Sequence, residues 1–135
     1  IVACLPDANE EKAAQLEAKG VEVLRIPGVT TADITEEQKE VISLPVLMKE
    51  LGARKIDGIL LEGGGQLNES ALQAGIVDRI YCYIAPKIFG GAQAKTPVEG
   101  QGLTRAADAW KFNRIGMQEF GQDILLEYEK AQELQ

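Results

Sequence analysis

A glycine-rich turn, LLEGGGQLNES from Leu60 to Ser70, holds the residues of this chain that are best suited to chemistry. An apolar run precedes the glycines, and a polar segment able to form a helix follows them. Glycine lets a backbone approach a phosphate without an intervening Cβ, and a helix N-terminus offers unpaired N–H groups and a positive dipole end. Asn68 and Ser70 add side-chain donors in the first helical turn. These residues predict an anion site, and a turn that only joins a strand to a helix is the structural alternative.

Glu62 directly precedes the glycines, at the expected carboxyl end of a parallel strand. Ligands on open α/β sheets bind beyond such strand ends. The carboxylate either holds a polar edge of a ligand or accepts backbone hydrogen bonds that stabilise the turn, and its position favours the first role. The motif reads G-x-G-x-x-N, so it lacks the third glycine of a dinucleotide fingerprint and the Gly-Lys-Ser/Thr of a phosphate loop.

Composition excludes several classes of function. The 135 residues contain no histidine, which removes Ser-His-Asp and Cys-His catalysis and histidine-ligated zinc, and we predict no metal site. A net charge of -7 argues against a nucleic-acid partner, because phosphate neutralisation needs clustered Lys and Arg. No apolar run is long enough to span a membrane. Cys4 and Cys82 lie in apolar runs and are expected to be free thiols of a cytoplasmic protein.

The first half of the chain is predicted to alternate strands and helices. Gly20 is suited to end the first helix in a left-handed conformation, Asp7 to cap its start, and Ser43 to cap the second helix. The region GVTTADITEEQKEVIS is polar and weakly patterned, so we expect a loop with at most one short helical turn. The predicted elements are strands at Ile1–Leu5, VEVLRI and IDGILLE, and helices at PDANEEKAAQLEAKG and LPVLMKELGARK.

The second half predicts a short helix, QLNESALQAG, and then mainly strands. IVDRIYCYIAPKI alternates like a strand, a glycine-rich loop FGGAQAKTPVEGQG follows, and AWKFNRIGMQEFGQDILLEYEK reads as two strands joined near Glu119 to Gln122. In that pair we expect Ile115 to face the strand of Ile124 and Leu126. Lys87 and Lys95 flank the loop and could meet a phosphate, although surface lysines more commonly remain solvated.

These elements predict one α/β domain over residues 1–135, with a mostly parallel sheet flanked by helices and antiparallel C-terminal strands. The chain opens IVACLP, without Met and already inside a strand pattern. We therefore expect that the domain continues upstream of Ile1.

Three pieces of the sequence resemble a known family. LLEGGGQLN, AGIVDRIYCYIAPKIFGG and AKTPVEGQG, in this order and spacing, are similar to the reductase domain of the bacterial bifunctional riboflavin-biosynthesis deaminase/reductase. The resemblance implies a dihydrofolate-reductase-like fold, of which this chain is the C-terminal portion. The deaminase motifs H-x-E and P-C-x-x-C are absent from these residues, which excludes zinc-dependent deamination by them.

The resemblance also implies an activity. It is the NADPH-dependent reduction of 5-amino-6-(5-phosphoribosylamino)uracil to 5-amino-6-(5-phosphoribitylamino)uracil, with hydride delivered to ribose C1′. The alternatives are another reductase of the dihydrofolate-reductase type that acts on a pterin or pyrimidine, and a non-catalytic nucleotide-binding or assembly module. Most remaining substrate contacts of the family lie upstream, so we expect these residues alone not to turn over.

Family roles carry over to the glycine turn. The resemblance implies that Glu62 contacts the substrate, while the catalytic residues stay unassigned. It also implies a cis peptide bond at Gly63–Gly64, and a homodimer that pairs through this half of the domain. The implied cofactor-binding segment is Gly64, Gly65, Gln66, Leu67, Asn68, Glu69 and Ser70.

Overall fold

The computed structural model describes residues 1–32 and 38–131. The chain forms two compact units, one over Ile1–Glu62 and one that begins at Gly63. A single domain over the whole chain stays a prediction.

The first unit opens with two parallel strands and a helix between them. β1 (Val2–Cys4) pairs with β2 (Val23–Arg25) in the register Val2 to Val23, and α1 (Glu10–Glu17) connects them. Asn9 caps α1, since its side-chain oxygen accepts a 2.8 Å hydrogen bond from the Lys12 backbone N–H. The predicted cap, Asp7, is therefore wrong by two residues. Gly20 has a φ of 79°, as expected for the residue that terminates this helical segment.

An antiparallel hairpin occupies the region that we expected to be a loop. β3 (Gly28–Ala32) pairs with β4 (Gln38–Ile42) from Gly28 opposite Ile42 to Ala32 opposite Gln38. The loop prediction was wrong because the backbone N–H and C=O groups of the two strands hydrogen-bond to each other. The polar sequence does not show the apolar alternation that would indicate such a pairing. The alternative of a short helical turn is not seen within 28–32 or 38–42, and residues 33–37 lie outside the described residues.

The second helix of this unit, α2 (Leu44–Ala53), begins as predicted. Ser43 is its N-cap residue and Pro45 lies in its first turn, although the Ser43 hydroxyl makes no capping hydrogen bond. Arg54 follows the helix and donates to carboxylate oxygens of Glu22 at 2.9 Å and Glu50 at 2.8 Å. These hydrogen bonds, the one to Glu50 first, raise the pKa of Arg54.

The run IDGILLE does not form the predicted third parallel strand. Residues 56–64 have no strand assignment, and Ile59, Leu60 and Leu61 expose 50%, 73% and 41% of their surface. A strand requires a neighbour that accepts and donates its backbone hydrogen bonds. Within the described residues no strand pairs with this segment. The prediction of a buried strand from this apolar composition was therefore wrong, because the segment is exposed and has no strand assignment.

Two features hold the first unit together. Its core contains Ala13 of α1, Leu24 of β2 and the fully buried Ile26. Arg25 fastens the β1–α1 connection, because its guanidinium donates to the Ala8 carbonyl at 2.7 Å and pairs with the Glu10 carboxylate at 2.9 Å.

The second unit consists of one helix and an antiparallel sheet. Its elements are α3 (Gly65–Gln73), β5 (Arg79–Ile84), β6 (Phe112–Phe120) and β7 (Asp123–Lys130). The sheet order is β5-β7-β6, with β7 antiparallel to both neighbours. Between β5 and β6 the chain is irregular except for a short 3₁₀ turn at Ala106–Asp108, as the glycine-rich composition predicted.

The β6–β7 hairpin closes at Gly121, whose φ of 64° suits the first loop position of a type II′ turn. The predicted strand pair is confirmed, but its register is not. Ile115 lies at a bulge between Arg114 and Gly116, and Met117 and Glu119 are the residues opposite Leu126 and Ile124. One extra residue changes the face of every side chain before it, which sequence alternation cannot show.

Three expectations from composition concern the cysteines, metal ligands and membrane-spanning helices. Both cysteines are free and half-buried. No group of three or more His, Cys, Asp or Glu side chains within residues 1–32 and 38–131 is placed to hold a metal ion. In the same residues no helix is long and apolar enough to cross a membrane.

Candidate functional site

The N-terminus of α3 lies at the glycine turn. Gly64 is the N-cap residue, in an extended conformation with φ -69° and ψ 166°, and its carbonyl accepts the first helical hydrogen bond from Asn68 N–H at 3.1 Å. Gly64 itself offers no side-chain cap, and no acidic residue lies in the first turn of the helix. The first N–H groups of the helix therefore keep their capacity to bind an anion.

The peptide bond between Gly63 and Gly64 is trans, because no cis bond occurs among the described residues. The expected cis bond is wrong for this structure. A cis bond between residues other than proline costs about 2.5–4 kcal/mol, and the trans bond already places Gly64 in the extended conformation that an N-cap requires.

A cleft of about 340 Å³ opens at this helix end. It is near the lower end of the volumes of ligand pockets, about 300–1,000 Å³, and so suits part of a dinucleotide rather than the whole. Its lining comes from the glycine turn, the first turn of α3 and a segment about thirty residues later, and consists of Gly63, Gly64, Gly65, Asn68, Lys95, Thr96, Pro97 and Glu99.

A side chain would meet different surroundings at each of the three glycines. A Cβ on Gly65 would lie 2.8 Å from the Thr96 carbonyl oxygen and closer still to the Glu99 side chain, so this glycine permits close packing within the protein. A Cβ on Gly63 would meet the end of the Leu67 side chain at 2.7 Å. A Cβ on Gly64 would have no atom of the described residues within 4 Å. Of these three glycines, Gly64 therefore leaves the most room for another group to approach the backbone.

The wall opposite the helix is fastened to it by hydrogen bonds. The Asn68 amide donates to the Pro97 carbonyl at 2.8 Å, and the Glu99 N–H donates to the Gly65 carbonyl at 3.1 Å. Asn68 therefore supports the cleft wall with the same amide group that sequence reasoning assigned to a ligand.

Two of the predicted cofactor residues direct their side chains at the protein. Glu69 is 7% exposed, and its carboxylate accepts from the Gln73 amide at 2.6 Å and from the Gly102 N–H at 3.3 Å. The Ser70 hydroxyl donates to the Gln66 carbonyl one turn earlier at 3.0 Å. Neither residue lines the cleft.

The other predicted residues are exposed. Gln66 and Leu67 lie at the start of α3 with solvent-accessible side chains. Glu62 is exposed and is the last residue of the first unit. Of the seven residues in the predicted cofactor segment, the cleft brings together Gly64, Gly65 and Asn68.

The electrostatics of the cleft are set by the helix end and one ion pair. Lys95 lies 3.8 Å from the Glu99 carboxylate, with side chains 90% and 25% exposed respectively. Because these two charges largely offset each other, the uncapped N-terminus of α3 supplies the net attraction for an anion. Backbone N–H groups, an open glycine and the exposed Lys95 ammonium together suit a phosphate-bearing group.

Sequence reasoning missed much of the second wall. Thr96, Pro97 and Glu99 were not predicted to line the site, whereas Lys95 was considered as a possible phosphate contact, with a solvated surface lysine as the alternative. A signal was available, since all four lie in AKTPVEGQG, one of the three pieces that carry the family resemblance.

Comparison with known sequences bears on the family. The model of the RibD C-terminal domain matches residues 1–126. The riboflavin biosynthesis protein RibD of Actinobacillus pleuropneumoniae is 40% identical over 128 residues, which cover 95% of this chain and 31% of that protein. A 2,5-diamino-6-ribosylamino-4(3H)-pyrimidinone 5′-phosphate reductase of Methanothermobacter thermautotrophicus is 38% identical over 87 residues, which cover 64% of this chain and 40% of that protein.

Solved structures bear on the fold. Acinetobacter baumannii RibD, form 2, matches with a TM-score of 0.70 and 23% identity, over 87% of this chain and 29% of that one. A pyrimidine reductase-like protein from Corynebacterium diphtheriae matches with a TM-score of 0.65 and 24% identity, over 95% of this chain and 48% of that one. These likenesses confirm the predicted α/β fold class.

The chain is shorter than these relatives, since it spans 31% of the Actinobacillus protein and 40% of the Methanothermobacter protein. The match over residues 1–126 nevertheless covers nearly all of it, and the predicted resemblance is confirmed. The chain belongs to the RibD C-terminal domain family.

Proposed function

We propose that this chain is the cofactor-binding part of an NADPH-dependent reductase of riboflavin biosynthesis. The reaction converts 5-amino-6-(5-phosphoribosylamino)uracil to 5-amino-6-(5-phosphoribitylamino)uracil. The observation that carries the proposal is the uncapped N-terminus of α3 beside Gly64, which has no protein atom near its Cβ position. The names of the relatives support a reductase of a ribosylaminopyrimidine phosphate.

In this proposal the protein supplies position and charge. NADPH, when bound, would supply the hydride that reduces C1′ of the ring-opened ribosyl imine, leaving NADP+, and the imine nitrogen would take up a proton from solvent. The N–H groups at the start of α3 hold a cofactor phosphate, and Gly64 lets the phosphate approach the backbone. Lys95 adds a cation at the rim of the cleft, and Asn68 keeps the opposite wall in place through Pro97.

Glu62 has a separate role in the proposal. The resemblance implies that the glutamate before the glycines contacts the substrate, and we propose that its carboxylate accepts a hydrogen bond from the pyrimidine. The exposure of Glu62 in the first unit leaves the carboxylate accessible to a ligand. We also propose, on the resemblance, that the protein is a cytoplasmic homodimer.

The proposal is tested by the reaction itself, in the natural polypeptide that contains these 135 residues. Purified protein is mixed with NADPH and the phosphoribosylaminouracil, and loss of absorbance at 340 nm is followed together with formation of the ribityl product. We expect NADPH oxidation that depends on the substrate. Absence of both signals at saturating concentrations would falsify the proposal.

The relative from Methanothermobacter favours one alternative substrate, because its name specifies a 2,5-diamino-4(3H)-pyrimidinone in place of the uracil. The same assay with that compound distinguishes the two pyrimidines. We expect the higher kcat/KM with the uracil compound, because that is the substrate implied by the resemblance to the bacterial bifunctional deaminase/reductase. A higher value with the diamino compound would assign that substrate instead.

A further inference from the structure

Among residues 63–131 of the second unit, the most buried charged residue is Glu69, in the second turn of α3. Its residue surface is 7% exposed. Burying a carboxylate is unfavourable unless it accepts hydrogen bonds that replace those of water. Glu69 accepts from the Gln73 amide at 2.6 Å and from the backbone N–H of Gly102 at 3.3 Å. The second bond joins α3 to a loop 33 residues away in sequence.

The loop is shaped around this carboxylate. Gly100 has a φ of 84°, a conformation that glycine adopts without strain, and a Cβ there would lie 2.5 Å from Glu69 Oε2. The loop backbone thus approaches the carboxylate more closely than any residue with a side chain would allow.

The same loop forms one wall of the candidate cleft. Lys95, Thr96, Pro97 and Glu99 line the cleft, and the chain passes from them directly to Gly100 and Gly102. Further hydrogen bonds, from Asn68 to Pro97 and from Glu99 to Gly65, tie the loop to the first turn of α3. Glu69 adds a hydrogen bond at the other end of the loop, where it accepts from the Gly102 N–H.

We propose that Glu69 is a positioning residue for the cofactor: it holds the loop of residues 95–102 against α3 and so keeps the cleft formed. This inference rests on the proposed function. It replaces the direct cofactor contact that family resemblance implies for Glu69, because the carboxylate faces Gly102 and Gln73 and is absent from the cleft lining.

Three substitutions of Glu69 test two properties of its side chain separately: the distance that its oxygen reaches and its negative charge. Glu69→Gln keeps an oxygen that can accept from Gly102, and Gln73 can turn its own oxygen toward the new amide. Glu69→Asp keeps the charge but withdraws it by one methylene. Glu69→Ala removes the acceptor. Glu119→Gln, at an exposed carboxylate of β6, is the matched control.

Hydrogen exchange at the Gly102 amide, measured without cofactor in the natural polypeptide, tests the hydrogen bond. We expect exchange at least about tenfold faster in Glu69→Ala and Glu69→Asp, as for loss of one hydrogen bond to a charged group. Glu69→Gln and Glu119→Gln should stay within about threefold of the wild type. If Glu69→Ala does not fold, Glu69→Asp decides the question.

NADPH affinity, measured by titration of the same variants, tests positioning. We expect the Kd to rise about tenfold in Glu69→Ala and Glu69→Asp and to change little in Glu69→Gln, with the KM for the pyrimidine substrate unchanged. A change in substrate KM of the same size would indicate general loosening and would overturn the inference.

Three other results would also overturn it. They are unchanged exchange at Gly102 in Glu69→Ala, faster exchange with unchanged NADPH affinity, and a Glu69→Asp variant that behaves as wild type while Glu69→Gln does not. If the wild type fails to bind NADPH, the proposed function fails and the cofactor role of Glu69 fails with it, while the exchange measurement still decides whether Glu69 holds the loop.

Discussion

The glycines of the turn differ in which protein atoms lie near them. Gly65 is required by its neighbours Thr96 and Glu99, whereas Gly64 is not required by any described atom. The sequence predicted the turn as an anion site but could not separate these glycines, because the atoms that distinguish them lie about thirty residues later. For the same reason it could not show that Glu69 and Ser70 bond within the protein.

Glu62 provides a prediction at this scale. Glu62→Gln replaces the proposed charged acceptor for the pyrimidine with an uncharged amide, so kcat/KM for the phosphoribosylaminouracil should fall about 10- to 100-fold, the loss expected for a hydrogen bond to a charged group. NADPH affinity should not change. Steady-state kinetics with each substrate varied in turn measure both quantities.

Glu11→Gln, at an exposed carboxylate of α1, is the matched control and should leave both constants unchanged. A Glu62→Gln enzyme with wild-type kcat/KM would remove Glu62 from the substrate site.

Secondary-structure elements were predictable where their pattern is local. Helices α1, α2 and α3 and strands β5 to β7 follow from apolar periodicity, from helix-starting residues and from glycines that adopt positive φ. The β3–β4 hairpin and the irregular segment 56–64 were not predictable, since both depend on which strand finds a partner. An apolar run alone does not provide that partner.

The cap of α1 gives a prediction at the scale of the element. Asn9→Ala removes the side-chain oxygen that accepts from the Lys12 N–H, and should lower the free energy of unfolding by about 1 kcal/mol. Asn9→Asp retains the acceptor and should stay close to the wild type. Urea unfolding followed by circular dichroism measures the difference.

Asp7→Ala is the control, because Asp7 was predicted as the cap and the structure assigns that role to Asn9. A larger loss in Asp7→Ala than in Asn9→Ala would contradict the observed cap.

At the scale of the whole molecule, the fold class follows from both sequence and structure and the family follows from sequence, whereas assembly follows from neither. Ile88 and Phe89 are apolar but expose 100% and 93% of their surface. An apolar residue in the sequence is therefore not by itself evidence of a buried position. Their surroundings in the natural polypeptide cannot be derived from periodicity, because they lie in a loop that has no repeating pattern.

We propose that a nicotinamide cofactor binds where α3 begins, and the effect of NADPH on stability tests this binding in the whole molecule. A ligand present at 100 times its Kd stabilises a protein by about 2.7 kcal/mol, so NADPH should raise the unfolding temperature of the wild type. Gly64→Ala places a methyl group in space that is empty of protein atoms. Without ligand it should unfold near the wild-type temperature, because the lower entropy of the unfolded chain offsets the weaker cap.

The matched variant is Gly65→Ala, in which the new methyl group would press on Thr96 and Glu99 and should lower stability by about 1–3 kcal/mol even without ligand. The decisive measurement is the shift in unfolding temperature that NADPH produces in Gly64→Ala. If the cofactor binds at the start of α3, unliganded Gly64→Ala should be as stable as the wild type, and NADPH should no longer raise its unfolding temperature. A Gly64→Ala protein that retains the full NADPH shift would contradict cofactor binding at this helix end.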